Sequence, residues 1–291
     1  MKIALFNTSL AKMATTAALV GLLAAGACAQ DRSRVLSIGG SVTEIVYALG
    51  EQDRLVARDT TSQFPADVTD LPDVGYMRAL SAEGVLSVNP SLILAEVGSG
   101  PPETMDILSA ASIDMVMVPD GYDADAVPEK VRVVADALGV TEKGEALIAR
   151  YNADMAEALG ALEGRLVEKP AVMFILSMRG GRVLVSGSNT AADGIITLSG
   201  AANAVADFEG YKPLTDEAIA AAAPDVILMM DRGGDQFAAD LELFSHPALS
   251  VTPAALNRRV VRINGLLLLG FGPRTPDAVK ALSSALGTAE S

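Results

Sequence analysis

The side chains best suited to ligand chemistry in this 291-residue chain are phenols and guanidiniums placed close to glycines. Gly75-Tyr76 is followed by Met77 and Arg78, and Gly210-Tyr211 opens a second stretch of the same kind, with Arg232 beyond it. A phenolate oxygen is a hard donor that suits ferric iron, but a free phenol has a pKa near 10 and stays ionised only beside a metal or a cation. Arg78 and Arg232 can supply that positive charge, or can pair with carboxylates of a ligand. Tyr211 is a candidate wall of the same site. Met77, Met178, Met229 and Met230 read as core or lining rather than as metal ligands. His246, in Ser245-His246-Pro247, is the single histidine and reads as a capping or surface residue. One imidazole cannot build a several-histidine zinc site. With no Ser-His-acid set and no nucleotide fingerprint to assemble, the residues speak against an enzyme.

These groups sit in a long internal repeat. LPDVGYMRALSAEGVLSVNPSLILA, residues 71–95, returns as GYKPLTDEAIAAAAPDVILMM, residues 210–230. Leu80-Ser81-Ala82-Glu83 matches Leu214-Thr215-Asp216-Glu217, and Pro90 to Leu94 matches Pro224 to Leu228. Both lie at an offset of 134 residues, as Glu83 to Glu217 and Pro90 to Pro224 show. Gly75-Tyr76 matches Gly210-Tyr211 after a one-residue shift. A unit of this length is a whole lobe, whereas solenoid repeats run to about 20–50 residues. The expected fold is therefore α/β, with two Rossmann-like lobes, parallel sheets and a ligand cleft between them. Glu83 and Glu217 occupy equal positions at helix starts, where a carboxylate is favourable in its own right.

The elements that must position these residues follow in order. Val35 to Ile38 reads as a strand, Gly39-Gly40 as a turn, and Ser41 with Glu44 has the spacing of a capping box for the helix ending at Gly50. The turn lacks the G-x-G-x-x-G pattern of a dinucleotide site. Leu55 to Ala57, Leu92 to Ala95 and Met115 to Val118 are further strands, with helices over 81–87 and 103–111 between them, so a parallel sheet is expected. Pro128 opens a long helical stretch, briefly broken at Gly139 to Thr141, whose Ala-rich charged composition suits a rigid connector. Strands at 172–176, 183–185, 226–230 and 260–263 and a closing helix at 276–286 build the second lobe. The boundaries read as a leader at 1–29, a first lobe at 30–127, a connecting helix at 128–169 and a second lobe at 170–291. Arg232 lies on the loop leaving strand 226–230, beyond a strand carboxyl end, where open α/β sheets bind ligands.

The first 29 residues differ in kind from the rest. Lys2 and Lys12 precede the apolar run Ala14 to Gly26, and Ala27-Cys28-Ala29 has the small-residue pattern of a secretory cleavage site. The alternative is a lipoprotein leader that keeps Cys28. Cleavage after Ala29 removes the single cysteine, leaving no disulfide or thiolate site. It also takes 22 basic residues to 20 against 36 acidic ones, a net charge of −16. That charge speaks against nucleic acid and anionic lipid as partners.

The string Gly-Tyr-x-Arg-x-Leu-Ser-Ala-Glu at 75–83, with SIGGSVTEIVYALG before it and GPPE after it, resembles the periplasmic haem-binding proteins of bacterial haem-uptake ABC transporters. The resemblance runs from Arg34 to the last helix. It implies two lobes bridged by a helix, haem as the carried ligand, and Tyr76 as the axial ligand of ferric iron. It implies further that Arg232 hydrogen-bonds the ligand oxygen, and that Glu83 and Glu217 dock onto the two subunits of an inner-membrane permease. The protein is then a periplasmic monomer. Vitamin B12- and ferric-siderophore-binding proteins share the two-lobe pattern and are the alternative.

Overall fold

The structure, a computed structural model, describes residues 32–162, 169–231, 233 and 236–287, without the side chains of 236–239. The expected leader at 1–29, residues 163–168 of the expected connector and Arg232 lie outside the described residues.

The first lobe runs β1 (Val35–Ile38), α1 (Gly40–Ala48), β2 (Leu55–Arg58), α2 (Ala82–Ser87), β3 (Leu92–Glu96), α3 (Pro102–Ala110) and β4 (Asp114–Val118). Its strands lie in the order β2-β1-β3-β4, every pair parallel. All of β1 and the first four residues of β3 are buried, which is why VLSI and LILA are apolar runs without alternation. The capping box does not form. Gly39 is the N-cap of α1, at φ 110°, and no side chain caps the helix. Ser41 and Glu44 are buried and bond to groups far along the chain instead.

The connector is α4 (Ala126–Leu138) and α5 (Thr141–Gly160), two helices rather than one rod. They part at Gly139, whose φ of 73° is a left-handed C-cap. They pack closely where Gly144 meets Ala135: a Cβ on Gly144 would lie 2.6 Å from that of Ala135. α4 packs on α1, and α5 packs on the last helix of the second lobe. One core therefore runs through both lobes, from Val35 and Leu92 by way of Val131 and Leu147 to Val172 and Val226. Each such fully buried aliphatic side chain contributes about 1.5–3 kcal/mol.

The second lobe continues as β5 (Ala171–Arg179), β6 (Arg182–Ser186), α6 (Ala191–Leu198), β7 (Ala202–Asn203), β8 (Tyr211–Leu214), α7 (Asp216–Ala222), β9 (Val226–Asp231) and α8 (Gln236–Ser245). It closes with α9 (Pro253–Leu256), β10 (Val260–Asn264), α10 (Gly265–Leu269) and α11 (Thr275–Gly287). The parallel pairs β7-β5, β5-β9 and β9-β10 reproduce the order of the first sheet. The internal repeat is thus a repeat of topology as well as of sequence. The difference lies in β6 and β8, which are antiparallel, so the second sheet is mixed. β5 turns back into β6 at Gly180-Gly181, where φ is 57° and 75°. Glu83 and Glu217 are both exposed in the first turns of α2 and α7, helices capped alike by Ser81 and Thr215.

Candidate ligand-binding site

A cleft of about 1210 Å³ is lined by both lobes. It exceeds the usual small-molecule pocket of about 300–1,000 Å³. Its lining gathers at the carboxyl ends of the parallel strands, where open α/β sheets bind ligands. Thr60 and Thr61 follow β2, Glu96 ends β3 and Asp120 follows β4. From the second lobe come Asp231 at the end of β9 and Asn264 at the end of β10.

Tyr76 and Arg78 line this cleft from a loop held at several points. Val74, Met77 and Leu80 are buried in the core on the outer face of the first sheet, so the residues between them face outward. Tyr76 is 47 % exposed. Arg58 at the end of β2 binds Asp73 at 2.7 Å, and the other oxygen of Asp73 accepts the Gly75 N–H at 2.8 Å. Gly75 sits at φ 100°, a conformation that suits glycine alone. The Gly100 N–H donates to the Met77 carbonyl at 2.8 Å, tying the loop to the turn before α3. Among the described residues the Tyr76 phenol has no hydrogen-bond partner. An open phenol on a rigid loop is a ligand donor that needs no rearrangement.

Tyr211 lines the cleft from the second lobe. The Ser186 and Thr190 hydroxyls and the Ala192 N–H at the start of α6 favour its ionised form. Burial pushes its pKa up, so it stays a protonated phenol at neutral pH.

The floor holds groups that sequence reasoning missed. Lys130 on α4 is 1 % exposed and binds Glu96 at 2.6 Å; Ser41 Oγ donates to the same carboxylate oxygen at 2.9 Å. Tyr122 stacks edge-on against Phe271 at 5.6 Å and donates to Asp120 at 3.3 Å. Burial, then Asp120, raises the Tyr122 pKa. A signal for Tyr122 was present, because Gly121-Tyr122 is a third Gly-Tyr step beside the two in the repeat. Nothing marked Asp59, which is fully buried and accepts from Gly39 N–H, Thr61 N–H, Thr61 Oγ1 and Ser62 Oγ at 2.7–3.0 Å. It shapes the loop that brings Thr61 and Gln63 to the cleft.

His246 is neither a surface nor a capping residue. It is 8 % exposed, and its Nε2 donates to the Gly181 carbonyl at 3.1 Å, so it braces the β5-β6 turn away from the cleft lining. Met77 and Met230 line the cleft, while Met178 and Met229 pack against the second-lobe core. Among the described residues no three His, Cys, Asp or Glu side chains gather as a metal site, and no helix is long and apolar enough to cross a membrane.

Comparison with known proteins gives three findings. The model of a periplasmic binding protein family matches residues 35–265. In structure the chain is similar to the periplasmic heme-binding protein BhuT in complex with two hemes, with 42 % identity and a TM-score of 0.83 over 88 % of this chain and 98 % of that one. In sequence it is similar to two further proteins. The uncharacterized ABC transporter substrate-binding lipoprotein YvrC of Bacillus subtilis is 26 % identical over 259 residues, 88 % of this chain and 81 % of the relative. The vitamin B12-binding protein of Pectobacterium atrosepticum is 26 % identical over 270 residues, 92 % and 93 % of the two chains.

Proposed function

The chain belongs to the periplasmic binding protein family, whose members are substrate-binding transport proteins and not enzymes, and within it we propose a haem carrier that holds ferric haem through Tyr76 and hands it to the permease of an ABC importer. The observation that carries this reading is the open Tyr76 phenol on a pinned loop at the wall of a two-lobed cleft. Tyr is a known haem-iron ligand. Arg78, on the same loop, supplies positive charge for the phenolate or for the propionates. Arg232, outside the described residues, is proposed for the same task by resemblance alone. Tyr211 serves as wall. Glu83 and Glu217, exposed at matching helix starts, are the proposed docking points for the two permease subunits. The leader is proposed to be cleaved after Ala29; a lipidated Cys28 is the alternative, and YvrC is a lipoprotein.

Vitamin B12 is the second reading, favoured by the Pectobacterium relative. Identity to the heme-binding BhuT is higher, 42 % against 26 %. A paired titration separates the two readings. Hemin added to the purified protein should saturate with a shifted absorbance band, and cyanocobalamin should leave its own spectrum and the intrinsic tyrosine fluorescence unchanged. Saturation by cyanocobalamin without hemin binding would reverse the assignment.

A further inference from the structure

Beside the cleft a part-buried ion pair joins the lobes. Glu44 on α1, 5 % exposed at its side chain, receives the Arg274 guanidinium at 2.5 Å and 2.9 Å on its two oxygens. Arg274 lies immediately before α11, 230 residues further on. The guanidinium carbon lies 3.6 Å from the Phe64 ring centroid. Phe64 ends the loop organised by Asp59, next to the cleft residue Gln63. Around the pair the two lobes are in contact. A Cβ on Gly40 would lie 2.5 Å from Leu266, and one on Gly272 would lie 3.5 Å from Ser41.

The geometry points to Glu44 and Arg274 as a positioning pair that fixes the separation of the two cleft walls and thereby sets how long the ligand is held. Three features support this. The pair is bidentate, so it defines orientation as well as distance. It connects residues of opposite lobes next to the cleft residues Ser41 and Gln63. Removal of Glu44 from water is costly, and burial raises its pKa against the opposing effect of Arg274. A part-buried pair of this kind is a weak source of stability.

The inference rests on the haem reading only for its ligand readout. Two probes keep them apart. Nitroxide labels at Ser87→Cys and Ala220→Cys, exposed positions on α2 and α7, report the lobe separation of the full mature protein, which carries no other cysteine after cleavage at Ala29, without ligand. The variant is Glu44→Met/Arg274→Met, which removes both charges and leaves flexible apolar chains to fill the space. Its unfolding transition should stay cooperative and close to that of the parent. Its inter-label distance distribution should broaden, and hemin should dissociate on the order of tenfold faster with an unchanged visible band. A distance distribution matching the parent overturns the positioning role whatever the ligand. A broadened distribution with an unchanged hemin off-rate overturns the link to retention. A parent protein that gives no hemin band overturns the haem reading and leaves the distance result to decide the pair.

Discussion

The Arg78 guanidinium of the first lobe acts across the cleft on the Tyr211 phenol of the second. Burial raises the phenol's pKa, and the Ser186 and Thr190 hydroxyls together with the charge of Arg78 oppose the rise. The two repeat-related tyrosines therefore differ in chemistry. Tyr211 is a more buried phenol whose pKa is raised, and Tyr76 is an exposed one.

Tyr211→Phe should accordingly leave the hemin spectrum in place, since the ring wall remains. Loss of the hydroxyl should cost at most about 1 kcal/mol of stability. Denaturant unfolding with and without hemin checks both parts. A lost band would make Tyr211 a ligand.

Burial raises the phenol pKa of Tyr151, and among the described residues its hydroxyl is buried without a partner. The sign of the linkage follows directly. The unfolded chain ionises near pH 10 while the folded phenol keeps its proton, so the folded state binds more protons there and stability falls as pH rises above 10. Tyr151→Phe removes both the unsatisfied hydroxyl and the titration. It should be neutral or stabilising by up to about 1 kcal/mol at pH 7, with a shallower loss above pH 10. Thermal unfolding from pH 6 to pH 11 measures this; a variant steeper than the parent at high pH would refute it.

Glu83 and Glu217 are exposed, and the backbone N–H and the Thr215 hydroxyl hold the Glu217 carboxyl below its ordinary range, so it is ionised at neutral pH. Glu83→Arg/Glu217→Arg should abolish haem-dependent growth of a strain that relies on this importer, while hemin titration of the purified variant matches the parent. Normal growth would remove docking from the account.

Much of the fold was legible because its signals are local. Buried parallel strands such as VLSI and LILA read directly as apolar runs, and the 134-residue offset of Glu83 and Glu217 announced a second lobe. The antiparallel β6 and β8 were not legible as such, because strand direction depends on the Gly180-Gly181 turn and not on the apolar pattern of Val183 to Val185. Tyr76 and Arg78 fall on the cleft because Met77 between them is buried, an alternation visible in residue types. Lys130, Glu96, Glu44 and Arg274 resisted, since a buried charge is explained by its partner, and here the partners lie 34 and 230 residues apart. Glu44 had an ordinary local explanation, the capping box, which its partner across the lobes displaced.

Haem ligation by Tyr76 is tested most directly by the visible spectrum of Tyr76→Phe with one equivalent of hemin. The substitution removes one oxygen that has no partner among the described residues, so folding should be unchanged within about 0.5 kcal/mol. The account predicts that the parent shows a high-spin ferric spectrum with a phenolate-to-iron charge-transfer band and that the variant loses this band. A Tyr76→Phe spectrum identical to that of the parent would contradict it.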